Sequence, residues 1–388
     1  MSYTFHIPAL PHLPVTKLNS VNACAYTAKI EKFSRFMTKR GHQVILYGAE
    51  GTDADCTEFI QTVSSDDLDV LFPKYDKTKE MFKIDWDSKL PYWQLTNSRA
   101  IVEIKKRIKP HDFIGIIGGN CQQPISDAFN GMPNHVVEWG IGYSGIFSKY
   151  KVFESYAHMH KVYGSMNSDP NGDFYDCVIP NSFEVSDFPE GDGKGGYYLY
   201  LGRVIQRKGI RIAEQAVAAI SGRLVIAGQG VASWDADNHK LVATDGEVYE
   251  GKHIEYVGFA DTNKRSQLMG GAIAQFVPTI YLGPFEGVNV EAQMCGTPVI
   301  STDWGCFAET VEHGVTGYRC RSMEQFTFAA MNVHKLDRKA IRDRAIRLYS
   351  TDKAADMYEE YFDHLNSLWN KGFYEPNPNR TQLNWLNK

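Results

Sequence analysis

The sequence predicts an α/β protein of two Rossmann-like halves facing across a cleft. Three observations carry this. At 388 residues the chain exceeds one ordinary core, so two bodies of about 100–200 residues are the natural division. Apolar strands alternate with amphipathic helices twice over, before and after a Gly/Asp-rich segment at residues 176–196 that reads as a linker. The third is one stretch, PTIYLGPFEGVNVEAQMCGTPVISTDWG at 278–305: a strand end, a Gly-Pro loop, a short helix, a stop at Gly296 and a second buried strand. The expected division is 1–182, 183–352, and a helix and tail at 353–388 that packs back on the first half.

The elements follow in order. Residues 3–9 read as a first strand, and a loop with His12 leads to a helix with Tyr26, Ile30, Phe33 and Met37 on one stripe, ending near Gly41. The strand Val44–Tyr47 completes a βαβ unit whose loop lies at the carboxyl edge of the first strand. Residues 51–95 show no clean period. A helix is expected over Ser98–Ile108, a buried strand in DFIGIIGG, a helix from Pro124, and a strand running into a Gly-rich loop over His135–Gly145. After the linker come the strand YYLYLG, the helix GIRIAEQAVAAI, the strands RLVIAG and HIEYVGF, the helix RSQLMGGA and the strand AQFVPT. Residues 353–369 form an amphipathic helix, and 374–388 are polar.

Composition narrows the class. A hydrophobic fraction of 43% and a charged fraction of 22% are those of a folded globular chain. A net charge of −5 argues against a large, sequence-independent nucleic-acid surface, although a local basic groove stays open. Seven scattered cysteines without a C-x-x-C pair fit reduced thiols, so a cytoplasmic location is expected. No leader pattern and no run of about 18 apolar residues is found, so neither secretion nor a membrane span is expected.

The chemistry gathers on three loops. In 278–305, a loop opening a helix after a strand leaves the amides of Glu286, Gly287 and Val288 without intrahelical partners. Such a site favours an anion, and Glu291 one turn further in suits a neighbouring diol. In LGRVIQRKG, Gly202 ends a strand, and Arg203 and Lys208 follow at the same sheet edge. They are either phosphate ligands, a planar fork and a mobile point charge, or a solvated face. In IAGQGVAS, Gly228 and Gly230 permit close backbone approach, but Ser233 replaces the third glycine of a dinucleotide fingerprint.

LGRVIQRKG, IAGQG, VGF (257–259), the 278–305 stretch and HGVTGY (313–318), with RGHQVILYG in the first half, resemble the retaining glycosyltransferases of the GT-B fold, family four in particular. The resemblance covers nearly the whole chain and is strongest over 199–320. It implies a GT-B fold and an enzyme that moves a sugar from a nucleotide-diphosphate sugar to a hydroxyl acceptor, without metal or other cofactor. By the same resemblance, Arg203 and Lys208 bind the diphosphate, Glu291 holds the ribose, Val257 to Phe259 receive the base, and the amides near Gly287 face phosphate and sugar. Front-face attack, in which the leaving phosphate helps deprotonate the acceptor, is the usual account of retention in this family.

One position departs from the family pattern. Eight residues before Glu291, where its first glutamate contacts the donor sugar, stands Gly283; Glu286 occupies a position that is usually glycine. Either Glu286 reaches the sugar from a shifted loop, or the donor lacks that contact, or activity is altered. On the acceptor side the candidates are Glu138, Tyr143 and Ser144, with His12 in the first loop; Glu138 joins Arg203, Lys208 and Glu286 as a catalytic candidate. Asp85-Trp86-Asp87 and Asp235-Ala236-Asp237 are D-x-D strings, but neither follows an apolar strand, and His158 and His160 point about 200° apart on a helix. No metal is therefore expected. Rival readings are a DNA-base-modifying glycosyltransferase or sugar-nucleotide epimerase of the same fold, and a non-catalytic sugar-nucleotide binder.

Overall fold

The computed structural model describes residues 2–17, 24–74, 84–166, 171–370, 372 and 377–384. Of the polar tail at 374–388, residues 374–376 and 385–388 lie outside the described residues. The first half contains β1 (Thr4–Pro8), α1 (Ala25–Lys39), β2 (Gln43–Ala49), β3 (Glu58–Val63), α2 (Ser65–Leu71) and α3 (Pro91–Lys105). It continues with β4 (Phe113–Ile116), α4 (Gln123–Asp127), β5 (His135–Ile141), β6 (Tyr150–Phe153), α5 (Tyr156–Met166) and β7 (Cys177–Val178). The strands form one parallel sheet in the order β3-β2-β1-β4-β5-β6-β7. Parallel strands covered on both faces are apolar throughout, as in β4, whose four residues are all buried. The expected stripe of α1 packs inward through Ile30, Phe33 and Met37.

The second half contains β8 (Tyr198–Leu201), α6 (Ile210–Ala219), β9 (Leu224–Ala227), β10 (Val231–Asp235), β11 (Lys240–Ala243) and β12 (Val248–Glu250). Next come β13 (Ile254–Tyr256), α7 (Thr262–Gly271), β14 (Gln275–Val277), α8 (Gly287–Met294), β15 (Val299–Thr302), α9 (Phe307–Thr310) and β16 (Gly317–Cys320). The helices α10 (Met323–Asn332), α11 (Arg338–Tyr349) and α12 (Thr351–Ser367) close the chain. A parallel sheet in the order β13-β9-β8-β14-β15-β16 forms its centre, with strand order reversing at β8.

Two stretches differ from the sequence reading. Within 51–95 lie β3 and α2, and α3 begins at Pro91 rather than Ser98. An edge strand with half-exposed residues and a helix with none buried leave no apolar period to read. Residues 231–250 form an antiparallel sheet, β10-β11-β12. The carboxylate of Asp235 caps the turn after β10, accepting from the amides of Asp237 and Asn238 at 3.1 Å each. That D-x-D string is turn chemistry.

Among the described residues, the halves meet in part as follows. Helix α12 packs on α1, Tyr358 lying edge-on to Phe33 at 5.3 Å. Beside the cleft, Ser155 Oγ donates to the Pro284 carbonyl at 2.6 Å, and the Tyr156 and Ala157 amides, opening α5, donate to the Glu309 carboxylate at 2.9 and 2.8 Å. Finally, the chain crosses between the halves twice, side by side. Phe183 N donates to Tyr349 O at 2.9 Å, and Thr351 N to Phe183 O at 3.1 Å.

Burial pushes His12 and His135 down to about 4. Both imidazoles are then neutral in the folded protein while the unfolded chain binds protons near pH 6.5. Stability is expected to fall as pH drops from about 6.5 towards 4, and to level off for these groups below that. Melting curves across this window check the slope, and His135→Phe should flatten part of it. No described helix is long and apolar enough to cross a membrane.

Candidate active site

A convergence of polar groups lies at the carboxyl ends of β8 and β14, where strand order reverses, the usual ligand position in an open parallel sheet. A cavity of about 350 Å³ opens there, with Gly202, Arg203, Lys208, Glu286, Gly287 and Val288 in its wall. Ala25 reaches it from the first turn of α1, so the cavity faces the cleft between the halves. The sequence singled out six of these wall residues, and the fold brings them together.

Arg203 leaves β8 on a loop tied by Tyr200 Oη donating to the Arg203 carbonyl at 2.7 Å. Its guanidinium is half-buried and makes no hydrogen bond or ion pair with a described residue. Lys208 ends the same loop and pairs with the Glu286 carboxylate. Its ammonium also lies 5.1 Å from the centre of the Tyr281 ring, and the Arg207 guanidinium stacks on that ring at 3.9 Å. The antiparallel sheet buttresses this loop, Asp245 Oδ2 accepting from Gln206 N at 2.9 Å.

Glu286 sits before α8 with φ 54° and ψ 60°, a left-handed conformation costing a non-glycine residue roughly 1–2 kcal/mol. That turn sends its side chain back over Gly283. A Cβ built on Gly283 would lie 2.7 Å from Glu286 Cγ and 2.8 Å from Cδ, and would overlap Oε1. The two positions therefore share one volume, and a side chain at 283 would displace the Glu286 carboxylate from where it now lies. In the first turn of α8, the Gly287 and Val288 amides have no preceding helical carbonyl to bond.

The remaining candidates stand further out. Glu291 pairs with Arg265, which lines the cavity and which the sequence did not flag, since one arginine after an Asp261 helix cap carries no motif. Gly228 and the 257–259 segment meet at the ends of β9 and β13, with Gly228 N donating to Gly258 O at 3.0 Å. Val257 O accepts from Lys264 Nζ, and Phe259 follows in the same loop. Glu138 is wholly buried, and burial raises its pKa. Its oxygens accept from Phe147 N (2.8 Å), Ser148 N (2.7 Å) and Tyr143 Oη (3.2 Å), so the carboxylate anchors the loop after β5. Ser144 is exposed on that loop, and His12 is buried edge-on to Phe72. Neither lines the cavity. Among the described residues, no group of three or more His, Cys, Asp or Glu could hold a metal ion.

Residues 195–335, which supply every cavity residue except Ala25, match the family model of glycosyl transferases group 1. Among curated proteins, the phosphatidyl-myo-inositol mannosyltransferase of Mycobacterium leprae is 27% identical over 212 residues, 50% of this chain and 54% of that protein. The matched region thus spans about half of that relative's length. Among solved structures, AviGT4, a glycosyltransferase involved in avilamycin A biosynthesis, superposes with a TM-score of 0.62 at 17% identity, covering 95% of this chain and 98% of its own. HepE of Anabaena, solved in complex with UDP-glucose, gives 0.60 at 13% identity over 94% and 100%. By fold the chain is a GT-B protein, and through residues 195–335 it matches the group 1 glycosyl transferases.

Proposed function

We propose that the protein is a retaining, metal-independent glycosyltransferase of the cytoplasm that moves a sugar from a nucleotide-diphosphate sugar to a hydroxyl acceptor. Residues 1–182 would form the acceptor-side domain, 183–352 the donor domain, and 353–388 a strap back onto the first. One observation carries the reading: three cations, Arg203, Lys208 and Arg265, two free amides and a carboxylate line a single cavity at the sheet's switch point. When the bond from the anomeric carbon to the β-phosphate breaks, negative charge grows on the phosphate. Arg203, Lys208 and the Gly287 and Val288 amides are already placed to receive it, which lowers the barrier because little must reorganise. Glu286 takes the sugar-facing role that the family gives to a residue at 283. Glu291, through Arg265, borders the ribose, and Gly228, Val257 and Phe259 border the base. The leaving phosphate itself takes the acceptor proton, so no protein nucleophile is needed. Tyr143, Ser144 and His12 are assigned to the acceptor side, with Glu138 holding the loop that carries Tyr143 and Ser144.

Thermal shift with UDP, GDP, ADP and their glucose conjugates tests the donor site. A nucleotide at 100 times its dissociation constant should stabilise the protein by about 2.7 kcal/mol. No shift with any of them at millimolar concentration would overturn the reading. A shift without turnover on any acceptor would favour a binding protein.

A further inference from the structure

The sequence string Asp85-Trp86-Asp87 finds no use in the donor site. In the structure it lies in the first half of the chain, shortly before α3. Tyr92 and Trp93, in the first turn of α3, pin it there. Tyr92 Oη donates to Asp85 O at 2.8 Å and Trp93 Nε1 donates to the same oxygen at 3.0 Å. The backbone is thus fixed while the side chains face outward: Asp85 and Asp87 are exposed, and Trp86 leaves 41% of its surface in water. Trp93 flanks the indole at 5.6 Å, and the rest of its surface is open to a ligand.

The indole belongs to a shelf that leads to the donor cavity. Trp86 packs edge-on to Tyr26 at 5.7 Å, and Tyr26 edge-on to Tyr143 at 5.8 Å. Tyr26 follows Ala25, which lines the donor cavity. An exposed flat apolar face with carboxylates at its rim complements a pyranose ring, whose C–H face is apolar and whose hydroxyl edge donates hydrogen bonds. The exposed carboxylates of Asp85 and Asp87 disfavour an anion placed directly against them. Lys29, at 4.3 Å from the Tyr26 ring centre, is buried and paired with Glu154.

We infer that this shelf is the acceptor subsite and that the acceptor is a neutral carbohydrate, stacked on Trp86 with its hydroxyls on Asp85 and Asp87. The inference rests on the glycosyltransferase reading. The test is calorimetric titration of the full chain, saturated with whichever nucleotide diphosphate binds, using three probes: neutral trisaccharides of gluco, manno and galacto configuration, a single-stranded DNA dodecamer, and phosphatidylglycerol vesicles. At least one trisaccharide should bind. Trp86→Ala should weaken it about tenfold and Trp86→Phe by less than about threefold, with nucleotide affinity and melting temperature unchanged in both. Asp87→Asn should weaken it severalfold. Nucleotide binding without any trisaccharide binding would overturn the acceptor assignment alone. Equal affinity in Trp86→Ala, or Trp86-dependent binding of DNA or vesicles, would do the same. Absence of nucleotide binding would remove the donor reading, and this inference with it.

Discussion

Arg203→Ala is expected to lower sugar transfer about 100- to 1,000-fold while leaving the protein folded. Both halves of that expectation come from the same observation. The guanidinium makes no hydrogen bond or ion pair with a described residue, so its loss strands no partner and stability should change by less than about 0.5 kcal/mol. Its contribution is held for charge that arrives with the donor and grows as the bond breaks. Lys208 differs: removing it leaves the Glu286 carboxylate, 3% exposed, without its cation. Lys208→Ala should therefore lose turnover and melt lower, as a buried charge without a partner is costly. Steady-state kinetics beside melting curves separate the two. Arg203→Ala with near-normal turnover would remove the diphosphate assignment.

Restoring a glutamate at position 283 should make the protein worse. Gly283→Glu places a second side chain in the volume Glu286 already fills, so we expect loss of at least about 100-fold in turnover together with lower stability. Glu286→Gly should lose activity by a comparable factor without the overlap, since the cavity then lacks its carboxylate. The double variant Gly283→Glu, Glu286→Gly should regain much of what each single change loses. That non-additivity is the signature of two positions sharing one space. Additive losses in the double variant would show that Glu286 does not stand in for a residue at 283.

The cavity at β8 and β14 was legible because its residues lie in short stretches that obey local rules. A strand ending in glycine, cations within six residues of it, and a helix opening after a Gly-Pro loop put Arg203, Lys208 and Gly287 at one sheet edge by backbone geometry alone. Which groups pair was not legible. Lys208 and Glu286 are 78 positions apart, and nothing local announces their bond. Arg265 was missed for the same reason. Glu138 shows the opposite failure. A carboxylate near a Gly-rich loop reads as reactive, but its environment, two amides and a tyrosine hydroxyl enclosing it, is set by how the loop folds back. The antiparallel sheet at 231–250 escaped notice because it is small, with one buried residue in β12 and none in β10.

The doubled crossing at Phe183 and Tyr349–Thr351 bears on the mechanics of the molecule. A single connecting strand can swivel about every torsion it contains, and the two bodies it joins would tumble almost independently. Here Phe183 is bonded through both its amide and its carbonyl to residues flanking Ser350 on the returning chain. Twisting one body against the other would strain the two bonds unequally, whereas flexing the pair of strands together disturbs neither. The stiffness is thus anisotropic, and opening is channelled along one coordinate. Moving along it requires the hydrogen bonds at Ser155 and Glu309 to break, so those contacts act as a latch on the hinge.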